Sequence, residues 1–293
     1  MNTIKTAALV ADPASDSPYY KKRKYFQFSF LAILFLANII ACANEPEAAN
    51  TDDKVLMAIF AHPDDETLVG PILNQYANKG VEVILVTVTD GRLGFTGHTD
   101  YEDEDELAAV RQEELRCAAD YLGAELIHLD YEDQLGISEG HNNLIAQSRG
   151  ILRDLHRIIE ERKPDAIITF GPDGFSNHMD HRLTGVSVTQ VVLSREWDKT
   201  PSLFYVGVPV SVLDDDEWMY MGVDDRYLTI QIPFTDEELE AAERAALCHE
   251  SQFTPEFVAD WIESMQEWGK IIYFRPFEAP AKEANDLFDY MER

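Results

Sequence analysis

Val55-Leu56-Met57-Ala58-Ile59-Phe60 is an uninterrupted apolar run that ends on Ala61-His62-Pro63-Asp64-Asp65-Glu66. Apolar residues without alternation suit a strand buried on both faces, the condition inside a parallel sheet. Downstream, Leu68, Val69, Ile72, Leu73 and Tyr76 recur at helical spacing, and Gly80 closes that helix. Val81–Val88 reads as a second strand. Leu107, Val110, Leu115, Ala118, Ala119 and Leu122 form a helical stripe stopped by Gly123, and Glu125–Leu129 is a third strand. Leu144–Ile159 predicts a longer helix ending before Pro164, Ala166–Phe170 a fourth strand, and Leu183–Leu193 a further helix. This alternation predicts an α/β fold: a Rossmann-like, mostly parallel sheet with helices on both faces. Beyond Pro201 the rhythm loosens into a C-terminal extension, with strand-like Leu203–Val206 and Tyr227–Ile232 and helices near Glu237–His249 and Pro255–Trp268. No linker or repeat divides residues 54–293, which read as a single domain.

Upstream of Val55 the composition changes. The chain has 293 residues, with 54 Asp+Glu against 24 Lys+Arg, a formal charge of −30. Residues 1–41 hold five basic and two acidic residues, which leaves 19 basic and 52 acidic, or −33, for the rest. Lys21-Lys22-Arg23-Lys24 precedes an uncharged stretch from Tyr25 to Ala41 that ends at Cys42. A basic region followed by an apolar one reads as an export signal. The ending Ile39-Ile40-Ala41-Cys42 resembles a bacterial lipobox, which implies lipidation at Cys42; an uncleaved membrane anchor is the other reading. Residues 42–53 then form a polar tether. Either way the body is expected to be exported and membrane-anchored, facing periplasm or cell exterior.

The acidic body excludes non-specific nucleic-acid binding, which needs Lys and Arg to displace counterions. Its charge suits neutral or amine-bearing glycans better than anionic polymers. The 45% hydrophobic content excludes a wholly disordered chain. Three cysteines are too few for a disulfide-built scaffold, and the sequence does not say whether Cys117 and Cys248 pair.

Two clusters carry chemistry. The first, Ala61–Glu66, follows a strand end, where ligands sit in open α/β sheets. A proline and acids there also suit any helix N-terminus, so alone the cluster reads equally as a capped turn. His62 and Asp65, three apart, are able to aim at one cation, with Asp64 left as a base. The second follows Ala166–Phe170: Gly171-Pro172-Asp173-Gly174-Phe175-Ser176-Asn177-His178-Met179-Asp180-His181. His178 and His181 are again three apart and share a face on a helical turn. Zinc in a catalytic site takes three protein ligands and a water, and the two clusters together supply such a set.

His62-Pro63-Asp64-Asp65-Glu66 with His178-x-Asp180-His181 resembles the LmbE-like family of zinc-dependent N-deacetylases. That family includes the N-acetylglucosaminyl-phosphatidylinositol de-N-acetylases (PIG-L) and the deacetylases of mycothiol and bacillithiol synthesis. Thr89-Asp90-Gly91, Arg111-x-Glu113-Glu114-Leu115, Asp130-Tyr131-Glu132-Asp133 and His249-x-Ser251-Gln252 are similar to further family elements. The resemblance implies that His62, Asp65 and His181 bind Zn²⁺, or another divalent metal such as Fe²⁺. It implies Asp64 as general base, His178 facing the developing oxyanion or leaving amine, and Arg111 and Asp133 holding the sugar. The implied reaction removes an N-acetyl group from an N-acetylglucosamine-type sugar or glycoconjugate. A zinc amidase for a different N-acyl group would carry the same residues; a non-catalytic glycan-binding lipoprotein on this fold is the other reading, and loss of Asp64 or a zinc ligand, all present here, would have favoured it. Arg92-Leu93-Gly94-Phe95 and Met179 depart from the family pattern and bear on loop shape and substrate.

The acidic runs Glu102–Glu106 and Asp214–Glu217 lack the glycine and spacing of a calcium loop and read as solvated surface. Trp261 and Trp268, seven apart, read as core; Trp218 and Tyr220 are the candidates for a substrate rim.

Overall fold

The first four apolar runs each become a strand of one sheet. The computed structural model describes residues 53–213 and 222–277. In order come β1 (Val55–Phe60), α1 (Gly70–Asn78), β2 (Glu82–Thr89), α2 (Glu104–Leu122), β3 (Glu125–Tyr131), α3 (His141–Arg162), β4 (Ala166–Phe170), α4 (Met179–Leu193) and β5 (Ser202–Pro209). The extension adds β6 (Gly222–Val223), β7 (Ile230–Pro233), α5 (Asp236–Ala246), α6 (Pro255–Glu267) and β8 (Ile271–Phe277). Cys42 and the rest of residues 1–52, and the acidic stretch with Trp218 and Tyr220, lie outside the described residues.

The sheet order is β3-β2-β1-β4-β5-β8-β7, with β6 paired to β5. β1 lies parallel to both β2 (Leu56 opposite Val83) and β4 (Leu56 opposite Ala166). Chain order therefore reverses between β1 and β4, and the crevice beyond their carboxyl ends is where such sheets bind ligands. Burial on both faces explains the unbroken apolar runs. Leu56, Ala58 and Phe60 of β1 join a core with Ile72, Leu73, Leu115, Leu239 and Ile262, from α1, α2, α5 and α6. Met57 and Ile59 join the opposite core with Ile151, Leu155, Val188 and Val191 from α3 and α4.

Local signals set the helix ends. Asp103 caps α2 by accepting from the Glu106 amide, and Gly123 closes it at φ 68°. The acids Glu104, Asp105 and Glu106 thus occupy its first turn, where the helix dipole favours negative charge. α4 starts four residues before the predicted Leu183, because His178 caps it by accepting from the Asp180 amide. That brings His181 into the first turn of α4. The helix also lies hard against β4: a Cβ on Gly185 would stand 2.3 Å from the Phe170 carbonyl oxygen.

β8 has no counterpart in the sequence reading. It inserts between β5 and β7 and runs antiparallel to both, with Phe274 opposite Val206 and Ile230. Cys117 and Cys248 are joined in a disulfide that ties α2 to the segment after α5.

Candidate metal and catalytic site

The carboxyl ends of β1 and β4 bring the two clusters together. His62 Nδ1 lies 3.2 Å from His181 Nε2 and 3.5 Å from Asp65 Oδ2. Asp65 Oδ1 lies 3.1 Å from His181 Nε2. A tetrahedral cation about 2.05 Å from each ligand would separate its ligand atoms by about 3.3 Å, so this spacing fits a zinc-sized ion. His62, His178 and His181 also each offer a ligand atom within a 4.8 Å span, but the tighter triangle includes Asp65.

Each ligand is fixed from behind. Asp65 Oδ2 accepts from the amides of Ala61 at 3.0 Å and His62 at 2.7 Å. His62 Nε2 points at Asp180 Oδ2 (3.3 Å) and Asp133 Oδ1 (3.4 Å), which leaves Nδ1 for the cation. His181 Nδ1 donates to the Gly174 carbonyl at 2.9 Å, with Ser176 Oγ at 3.1 Å, which leaves Nε2. Burial alone would lower the pKa of His62, yet Asp133, Asp180 and Asp65 raise it well above the ordinary value. A buried histidine ringed by carboxylates is a place that attracts positive charge. Asp65, whose burial would raise its pKa, is instead held far down by His181 and His62.

Asp64 is positioned by strain and by hydrogen bonds. Its backbone sits at φ 114°, a region that costs a non-glycine residue about 1–3 kcal/mol and recurs at functional sites. Its amide donates to Glu66 Oε2 at 3.1 Å, and its carbonyl accepts from Thr67 Oγ1 at 2.7 Å. Its Oδ2 accepts from Arg111 at 2.8 Å, leaving Oδ1 uncommitted. Burial raises its pKa to about 6 against the opposing pull of Arg111, in the range a general base needs near neutral pH.

His178 stands at the open side, its ring centroid 4.8 Å from His62 and 5.0 Å from His181. Burial and the charge of those two rings lower its pKa. Because Nδ1 accepts from the Asp180 amide, the neutral ring carries its proton on Nε2. Arg111 and Asp133, expected at the sugar, lie against Asp64 and His62. Arg111 is buried and donates to Asp64, Pro63 and Gly91. Asp133 is buried against His62 and accepts from the Leu93 amide at 3.2 Å.

A support unassigned by the sequence lies beneath. Glu66 and His249 are wholly buried and paired side chain to side chain. Glu114 accepts from the amide and hydroxyl of Ser251, at 2.7 and 2.6 Å. The His249-x-Ser251-Gln252 element, noted in the sequence without a role, thus clamps the loop after β1 to α2. The structure also opens a chamber of about 240 Å³ beside Asp64, Asp65 and His181. A larger groove of about 280 Å³ lies away from these residues, around Lys54, Ala166 and Ile230.

Comparison with known proteins agrees with this geometry. Residues 57–192 match the family model PIG-L, GlcNAc-PI de-N-acetylase. A protein of Mycobacterium sp. (strain JLS) named 1D-myo-inositol 2-acetamido-2-deoxy-alpha-D-glucopyranoside deacetylase is 26% identical over 244 residues, covering 71% of this chain and 76% of that one. The N,N'-diacetylchitobiose deacetylase of Pyrococcus horikoshii shares the fold at a TM-score of 0.58 and 22% identity, over 86% of this chain and 95% of that one. The 4-carboxy-2-hydroxymuconate hydratase of Pseudomonas putida KT2440 shares it at 0.56 and 13% identity, over 80% and 100%, so the fold alone does not name a reaction.

These comparisons overturn the exported, membrane-anchored location expected from residues 1–41. The relative matched over 71% of the chain is named for a small inositol glycoside. Among the described residues, no helix is long and apolar enough to cross a membrane. The expectation rested on an uncharged run, residues 25–41, at the lower edge of spanning length and outside the described residues.

Proposed function

Because residues 57–192 match the PIG-L de-N-acetylase family model, we propose that the chain hydrolyses the N-acetyl amide of an N-acetylglucosamine-type substrate with a divalent metal, Zn²⁺ foremost. The observation that carries this is the triangle of His62 Nδ1, Asp65 and His181 Nε2, with edges of 3.1–3.5 Å, beside a carboxyl poised near neutrality. The metal, when bound, supplies Lewis acidity, making a water nucleophilic at neutral pH and polarising the amide carbonyl.

The protein's residues do the rest. Asp64 Oδ1 takes the proton from the attacking water, while Arg111 holds Oδ2 and the Glu66 carboxylate holds the Asp64 amide. His178 donates from Nε2 to the carbonyl oxygen as negative charge grows there. The proton held on Asp64 then passes to the departing nitrogen, and acetate and free amine leave. Asp133 and Asp180 keep the His62 ring in one orientation throughout.

The test is metal analysis of the purified protein together with acetate release from a panel of N-acetylglucosamine-containing glycans and glycosides. Asp64→Ala is expected to keep the metal and lose about 10²–10⁴-fold in turnover. His62→Ala is expected to lose both metal and turnover. Near-normal activity in either variant overturns the assignment.

A further inference from the structure

Resting on the reading just given, we propose that the chamber beside Asp64 is an acyl subsite, built for apolar N-acyl chains longer than acetyl. Asp64, Asp65 and His181 form one of its walls, so it opens on the point where the amide carbon must sit. The other walls are Leu68, Phe175, Phe253, Phe257, Val258 and Trp261. The last four lie outside residues 57–192, so the matched family segment does not supply them.

An N-acyl amino sugar has a polar arm and an apolar one, and the site has two matching sides. A sugar buried in the chamber would need partners for its hydroxyls, because unpaired polar groups are costly to bury. The chamber's hydroxyls are engaged: Ser176 Oγ with His181 Nδ1 at 3.1 Å and Thr67 Oγ1 with the Asp64 carbonyl at 2.7 Å. No Lys or Arg lines it, so it does not suit a phosphate or carboxylate tail. His178 and Met179 are exposed and lie outside the chamber's lining, which leaves room for the sugar beside them.

Size separates acetyl from longer chains. At about 30 Å³ per water-sized group, a 240 Å³ space takes roughly eight such groups, whereas acetyl adds one methyl beyond its carbonyl. The Phe257 ring, 52% exposed, stacks on Phe253 at 5.0 Å between centroids. It is the wall easiest to remove without opening the core.

The experiment compares kcat/KM of the metal-loaded protein on N-acetyl-, N-butanoyl-, N-hexanoyl- and N-octanoylglucosamine, for wild type and Phe257→Ala. Burying each methylene is expected to raise kcat/KM roughly two- to fourfold up to hexanoyl. Phe257→Ala is expected to cut the hexanoyl-to-acetyl ratio at least fivefold. Hydrolysis of the acetyl compound alone, or a ratio untouched by Phe257→Ala, overturns the acyl subsite and leaves the deacetylase reading standing. A rate that rises with added sugar units and ignores acyl length also overturns it. If no N-acylglucosamine is cleaved, the deacetylase reading falls, and titration with hexanoate and acetate decides the chamber independently. Hexanoate binding at least tenfold tighter supports it; equal affinity refutes it.

Discussion

Replacing Glu66 by glutamine probes the support beneath Asp64, the proposed base. The Glu66 and His249 side chains are both wholly buried, and each is the other's charged partner. Burial pushes the His249 pKa down, but Glu66, helped by Asp64 and Glu114, raises it above the ordinary value. Removing one partner of a buried ion pair typically costs about 3–5 kcal/mol, because the remaining charge is left unmatched. With a urea m-value of about 2–3 kcal/mol/M, that moves the midpoint down by roughly 1–2.5 M. Urea titration followed by fluorescence of Trp261 and Trp268, both packed against the core, reads it directly. The pH dependence carries a sign. A histidine whose folded pKa is raised contributes fully below its unfolded value of about 6.5, and the contribution is lost as pH rises through the folded value. The gap between wild type and Glu66→Gln is therefore widest on the acidic side and closes toward alkaline pH. A Glu66→Leu/His249→Leu double variant, with no orphaned charge, is expected to recover part of the loss. A midpoint shift below about 0.3 M, or a gap that does not change with pH, refutes the reasoning.

Two further outcomes follow from the same framework. The Cys117–Cys248 bond closes a loop with a sequence separation of 131, for which chain entropy gives up to about 5 kcal/mol. Reduction is expected to lower Tm by roughly 10–20 °C in scanning calorimetry, and an unchanged Tm with both thiols shown free by mass spectrometry contradicts this. Gly185→Ala places a methyl 2.3 Å from the Phe170 carbonyl oxygen, a backbone atom with little room to move. A loss of about 1–3 kcal/mol is expected, together with weaker metal binding as α4 carries His181 away from Asp65. Unaltered metal affinity would show that Gly185 does not set that distance.

The parallel half of the fold was readable because burial on both faces writes itself into composition: VLMAIF and AIITF have no polar side to hide. The meeting of His62 and Asp65 with His181 was readable because both of their segments follow such runs. β8 was not, although Ile272 and Phe274 are buried and alternate with half-exposed Ile271 and Tyr273. Arg275 and Pro276 interrupt that pattern, and proline argues against an inner strand. The contacts of Arg111 with Asp64 and of Asp133 with His62 were obscured for a different reason. Sequence spacing gives the neighbourhood of a side chain but not whether it faces a ligand or the back of another residue. Gln134, Leu135 and Gly136, in succession at φ 52°, 49° and 58°, make a left-handed turn that carries the Gln134 amide to Asp180. Such a turn is rare for leucine and glutamine, and nothing in the sequence around it signals it.

The strand order has a consequence for assembly. His62 and His181 lie 119 residues apart, and they meet because β4 pairs with β1 on the edge opposite β2 and β3. Pairings this remote in sequence form late, since loop closure must precede any contact that rewards it. A chain with only β1 to β3 paired would hold His62 and Asp65 without His181, so under the proposed ligand set metal uptake would report the β1–β4 pairing. An ion held only once β1 and β4 are paired would also draw the equilibrium toward that pairing, by about 4 kcal/mol at a thousandfold excess over Kd.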